Sequence, residues 1–173
     1  MSDRDKPDEV KIGFLTAVEI TDLGFVGGLL VTNQLGRPLE FQCTAPVKPN
    51  RAQIILFGPT LSAYVSGELI GRTLLDRVGI APDLVLTEQT DILQIRQHLK
   101  TPVACLNPVD REEHGDEHSL TIRLGRNVVR LLEGHQRDLE PLREAAKLIP
   151  DEADLREPFQ RVCEALKETL RAA

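Results

Sequence analysis

From Val10 the chain alternates strictly: Val10, Ile12, Phe14, Thr16, Val18 and Ile20 fall on one side, Lys11, Gly13, Leu15, Ala17 and Glu19 on the other. A period of two belongs to an extended strand. Thr21-Asp22-Leu23-Gly24 then forms a turn, and residues 25–32 are a continuous apolar run, short enough for a strand buried on both faces. The Gly27-Gly28 pair within it predicts a bulge or a close backbone approach. Asn33-Gln34-Leu35-Gly36 is a second turn, where Gly36 supplies a positive φ. Beyond Pro38, Leu39, Phe41, Cys43 and Ala45 alternate with Glu40, Gln42 and Thr44. These segments predict a three-stranded antiparallel meander.

The period then lengthens. Pro46 and Pro49 end the third strand, and Asn50 caps a helix that starts at Arg51 and breaks at Gly58-Pro59. Thr60 caps a longer helix with Leu61, Val65, Leu69, Leu74 and Val78 along one stripe, and Gly67 and Gly71 predict close packing against a neighbour. Residues 84–86 and 103–106 are short apolar strands around a helix that opens at Thr87 or Thr90 and runs to Leu99. Strand, helix and strand joined this tightly imply a parallel pair with a right-handed crossover. A charged loop occupies 107–118, ahead of a strand carrying Leu120, Ile122 and Leu124.

Helices are expected over 127–133, 138–148 and 151 to the end. The last carries Leu155, Phe159, Val162, Leu166 and Leu170 at spacings of three and four. Asp151 and Asp154 would occupy its first turn, and Pro158 is tolerated only if the helix starts near Leu155. The class is α/β, bordering on α+β. It comprises a flexible N-terminus (1–9), an α/β domain (10–125) with a mixed sheet and flanking helices, and a C-terminal helical segment (126–173) packed on the same domain.

Composition changes this picture little. The 173 residues are 41% hydrophobic but only 3% aromatic, so Leu, Ile and Val must build the core. Three cysteines far apart in sequence fit reduced thiols rather than a disulfide framework. The start has no apolar signal region, and no apolar run approaches the roughly 20 residues of a membrane span, so a soluble cytoplasmic protein is expected. A net charge of −6 counts against nonspecific nucleic-acid binding, which depends on cations that displace counterions from phosphate.

The order β-β-β-α-β-α-β resembles that of the ribonuclease-H-like fold. In such enzymes carboxylates on the first strand, the first long helix and the fourth strand hold divalent metal ions for phosphodiester hydrolysis. The resemblance, in element order alone, implies a metal-dependent nuclease or phosphoesterase using Glu19 (or Asp22), Glu68, Glu88 and Asp91. Against it, the middle of the first strand carries no acid, and charged residues usually mark solvated faces.

Other chemistry is thinner still. His114 and His118 lie in an acidic loop without an HExxH pattern, so a charged loop is the simpler reading than a metal site. Cys105 falls inside an apolar strand, where a thiol behaves as a small hydrophobe. Lys48 and Arg51 at a strand-to-helix junction, with Asn107 at a parallel strand end, are the candidates for binding an anion or small ligand. GxxxxGK[ST], GxGxxG and GxSxG are all absent.

With no catalytic constellation, the main expectation is a non-catalytic protein-interaction or regulatory module that needs no cofactor and does not engage a membrane. It would work through self-association, as a homodimer, or through a protein partner, since the terminal apolar stripe could dock on a second copy. The metal-dependent nuclease is the alternative. A small-ligand sensor, which would need an apolar cavity beside the meander, is the third.

Overall fold

A computed structural model describes residues 9–106 and 120–172. Seven strands form one mixed sheet in the order β3-β2-β1-β4-β5-β7-β6. They are β1 (Ile12–Ile20), β2 (Gly24–Thr32), β3 (Pro38–Cys43), β4 (Leu84–Thr87), β5 (Val103–Leu106), β6 (Thr121–Leu124) and β7 (Asn127–Leu131). The meander β1-β2-β3 is antiparallel, β1-β4-β5 is parallel, and β7 returns antiparallel to β5 with β6 outside it. The expected α/β class, meander and parallel unit are all present.

Strand alternation sorts side chains into two layers. Ile12, Phe14, Val26, Leu30, Leu84 and Leu86 face one side, covered by α3 (Leu139–Leu148) and α4 (Glu157–Arg171). Leu15, Ala17, Leu29, Val31 and Val85 face the other, covered by the helical stretch α1 (Arg51–Arg77) and by α2 (Thr90–Leu93), which runs into a 3₁₀ turn, Gln94–His98. The terminal stripe docks as its spacing predicts: Leu155, Phe159, Val162 and Leu166 are buried, and Phe159 meets Phe14 edge-on at 5.3 Å. That helix starts at Glu157 with Pro158 in its first turn, so Asp151 and Asp154 precede it.

The α1 stretch opens with a reciprocal cap. Asn50 Oδ1 accepts from the Gln53 amide at 2.8 Å, and Gln53 Oε1 accepts from the Asn50 amide at 3.0 Å. As expected, the first helical turns end at Phe57, where Gly58 leaves the helical region at φ 51° and ψ −128°, and Gly58–Thr60 is a tight turn that leads on; the Thr60 side chain does not cap the helical turn at Leu61. Over Tyr64–Gly71 the backbone widens into a π-helix. This explains the spacing of five between the buried Val65 and Ile70, which a regular α-helix would rotate off the sheet. By length and composition α1 could cross a membrane, but Val65, Ile70 and Leu74 pack on the sheet.

Two expectations are corrected, and the Gly27-Gly28 reading is narrowed to one of its two forms. The helix expected over 127–133 is strand β7. Its buried positions alternate (Asn127, Val129, Leu131), and a turn at Gly125, φ 55°, folds it onto β6, so the sheet extends past residue 125. The Gly27-Gly28 pair makes the close approach but no bulge, because β1 pairs with β2 without interruption. The irregularity lies between β2 and β3, where Val31 pairs Glu40 and Thr32 pairs Pro38, leaving Leu39 extra. Leu39 therefore packs in the α1 layer while Phe41 and Cys43 pack in the other. Of the expected flexible segment, residues 1–8 lie outside the described residues.

A charged anchor ties β3 to the end of α1. The Glu40 carboxylate accepts from Gln42 Nε2 at 3.0 Å, from the Gly79 amide at 3.0 and 2.9 Å, and from the Ile80 amide at 2.9 Å. The Gln42 bond first, then the two amides, hold its pKa below the ordinary carboxylate value. A depressed folded pKa gives stability that is present above the unfolded carboxylate pKa and lost as pH falls through the folded value. We expect Glu40→Gln to lower the urea midpoint at neutral pH, with the gap to wild type closing in acid. Midpoints measured across that range check this, and a gap independent of pH contradicts it.

Candidate functional site

The parallel ladder between β1 and β4 ends at the pair Phe14–Leu86. β1 continues to Ile20 against β2, whereas the chain leaves β4 after Thr87 and enters α2. The two strands therefore part at their carboxyl ends, the position where open α/β sheets bind ligands. Gln89 fills the gap. Its Oε1 accepts from Thr16 Oγ1 at 3.1 Å and from the Ala17 amide at 2.8 Å, while its own amide donates to Thr87 Oγ1 at 3.1 Å. Thr16 and Thr87 are buried, so this clamp is a neutral polar cluster inside the sheet edge.

Among the described residues, the charged groups placed near the clamp include Glu88, Arg156 and Arg130. Glu88 turns outward and accepts from Arg156 Nη1 at 3.3 Å. Arg130 of β7 pairs in register with Cys105 of β5. Burial raises the Cys105 pKa, against the opposing pull of the Arg130 charge, so at neutral pH the thiol is protonated and is not a nucleophile. Cys163 on α4 is raised too, again by burial first.

The candidate carboxylates are not gathered here. Glu19 and Asp22 line a cleft of about 810 Å³ at the far end of the β1-β2 hairpin, together with Lys48, Ile54 and Leu61. Glu68 and Asp91 line a separate cleft of about 540 Å³ between α1 and α2, where Glu68 Oε1 lies 3.9 Å from His98 Nε2. Glu88 belongs to neither cleft. Among the described residues, no three His, Cys, Asp or Glu side chains are placed to hold a metal ion.

Lys48 donates to the Asp22 carbonyl at 3.2 Å, and Arg51 is exposed at the first position of α1. Asn107, His114 and His118 lie outside the described residues. The residues missed by sequence reasoning are Thr16, Thr87, Gln89, Arg130 and Arg156. Their one legible signal was two threonines at core-facing positions of otherwise apolar strands.

No protein-family model and no curated protein matches the sequence. Solved structures do match by fold. Endonuclease V of Ciona intestinalis, a variant in complex with a 23mer DNA containing an inosine followed by a ribo-adenosine, has 12% identity and a TM-score of 0.50. The match covers 93% of this chain and 87% of that one. Human ENDOV has 14% identity and a TM-score of 0.50 over 96% of this chain and 89% of that one.

Two expectations fall against these neighbours. A non-catalytic interaction or regulatory module, working through self-association or a protein partner, is not upheld, because the solved structures that share this fold along almost the whole chain are endonucleases. The argument from charge against nucleic-acid binding is also overturned, since one neighbour is held on DNA. The physical reason is that net charge sums the whole chain, while phosphate responds to cations within about a Debye length.

Proposed function

We propose that this chain acts on nucleic acid as a nuclease or phosphoesterase, with the carboxyl ends of β1, β4 and β5 as its substrate edge. The observation that carries the reading is the shared fold, which matches endonuclease V over nearly the whole length of both chains. The edge itself adds support. Arg130 and Arg156 offer cations that can face phosphate, and Thr16, Thr87 and Gln89 offer a rigid hydrogen-bonding floor. Glu88, paired with Arg156, brings a carboxylate to the same edge.

A divalent cation is the expected cofactor of this fold class, and the described residues do not fit one. Metal-assisted phosphoryl chemistry needs carboxylates converging on a shared ion, and here they are divided among two clefts and an ion pair. We therefore derive no step through a metal.

Binding is tested by fluorescence anisotropy with a labelled oligonucleotide over a range of salt. Wild type should bind with a negative salt slope, and Arg130→Ala should weaken binding for every sequence and reduce the slope by about one. Equal affinity and slope in wild type and variant would remove Arg130 from the interface. No binding at low salt would sink the proposal.

A further inference from the structure

We infer that the point where β1 and β4 part, at Thr16, Ala17 and Thr87, is a cation-free site, in which a neutral hydrogen-bond clamp occupies the place where the fold class brings acids together. The inference rests on the proposed nuclease reading. The donor set carries it. Among the described residues, the side chains that meet where β1 and β4 part are Thr16, Thr87 and Gln89, two hydroxyls and an amide with no formal charge. Divalent magnesium and manganese are hard ions that favour carboxylate and water oxygens. The Gln89 carbonyl oxygen, the best remaining ligand, already accepts two hydrogen bonds, at 3.1 and 2.8 Å. A cation approaching it would have to displace the Ala17 amide or the Thr16 hydroxyl, leaving a buried donor unpaired.

The neighbouring positions point the same way. Ala17 packs with Leu15 and Val85 in the α1 layer, and alternation along β4 places Thr87 on that same face. The α1 side chains opposite include the buried Val65, Ser66 and Ile70, none of them acidic, while the acids on that side line separate clefts: Glu68 is exposed and turned toward His98, and Glu19, two positions beyond Ala17, is exposed at the hairpin end. Glu88, the nearest acid in sequence, is held by Arg156, whose positive charge repels a second cation. As far as the described residues go, engagement of nucleic acid at the clamp is therefore independent of divalent metal: hydrogen bonds and arginines do the positioning.

The test uses the full chain, isotopically labelled, with manganese as a paramagnetic probe in two-dimensional amide spectra. At substoichiometric Mn²⁺ the Thr16, Ala17, Thr87 and Gln89 amides should keep as much intensity as those of β3 at the far sheet edge. Melting curves in Mn²⁺ and in EDTA should superimpose. Selective early loss of the Ala17 and Gln89 signals, reversed by EDTA, would overturn the inference. An oligonucleotide added in EDTA separates the two ideas. Shifts at the clamp amides without metal support both. No shift in EDTA but shifts once Mn²⁺ is present would overturn the cation-free site and leave the nucleic-acid reading standing. No shift in either condition, with the clamp signals unbroadened, would sink the nucleic-acid reading and leave the site cation-free.

Discussion

Asp138→Ala should cost about 3–5 kcal/mol of stability, because it leaves a guanidinium in the interior without its counter-ion. Arg96 Nε lies 2.7 Å from Asp138 Oδ2 and Nη2 lies 3.1 Å from Oδ1, a two-pronged contact whose side chains are only 12% and 5% exposed. Arg96 Nη1 also donates to the Leu99 carbonyl, so the arginine cannot swing to solvent without breaking that bond as well. The pair ties the turn after α2 to the start of α3 across the end of the sheet. Urea unfolding measures the loss. A cost below about 1 kcal/mol would mean that the pair is screened like a surface ion pair. Arg96→Met combined with Asp138→Leu removes both charges and should recover most of the loss, since hydrophobic replacements of buried pairs are often neutral.

Gly27→Ala should be nearly as damaging, at about 1–3 kcal/mol, although it adds a single methyl group. A Cβ at this position would lie 2.0 Å from Ile70 Cγ2 and 3.2 Å from Leu74 Cδ1, so α1 must lift from the sheet or Ile70 must leave its rotamer. Gly28 is matched to the opposite layer in the same way, with a Cβ 2.7 Å from Val162 Cγ1. Ile70→Ala alone should cost about 2–5 kcal/mol by opening a cavity. Combined with Gly27→Ala it should cost less than the two losses added together, because the new methyl fills part of that space. Additive losses would show that the clash is relieved elsewhere.

The legible part of the sequence was local and periodic. The alternation from Val10 to Ile20, the apolar run of β2 and the stripe from Leu155 to Leu166 each report burial along a single element, and each lies where its period places it. β7 was not legible, because five residues with adjacent valines give too short a record to separate strand from helix. The π-helical segment of α1 was not legible either, because an apolar stripe assumes a constant rotation per residue.

The site was the least legible part. Gln89 meets Thr16 across 73 positions and Ala17 across 72, and nothing in either segment announces the other. The carboxylates Glu19, Glu68 and Glu88 were chosen by element order, which fixes the element and not the direction in which a side chain points. Net charge misled for a related reason: a sum over the chain holds no information about which cations share an edge.

The most direct test of nuclease function is hydrolysis itself. An end-labelled oligonucleotide, with and without inosine, is incubated with the purified chain in Mg²⁺, in Mn²⁺ and in EDTA, and the products are resolved by length. Shortened products are expected, increasing with protein concentration and decreasing in the Arg130→Ala variant. An oligonucleotide that stays intact under all three conditions, at protein concentrations that saturate binding, would contradict a nuclease.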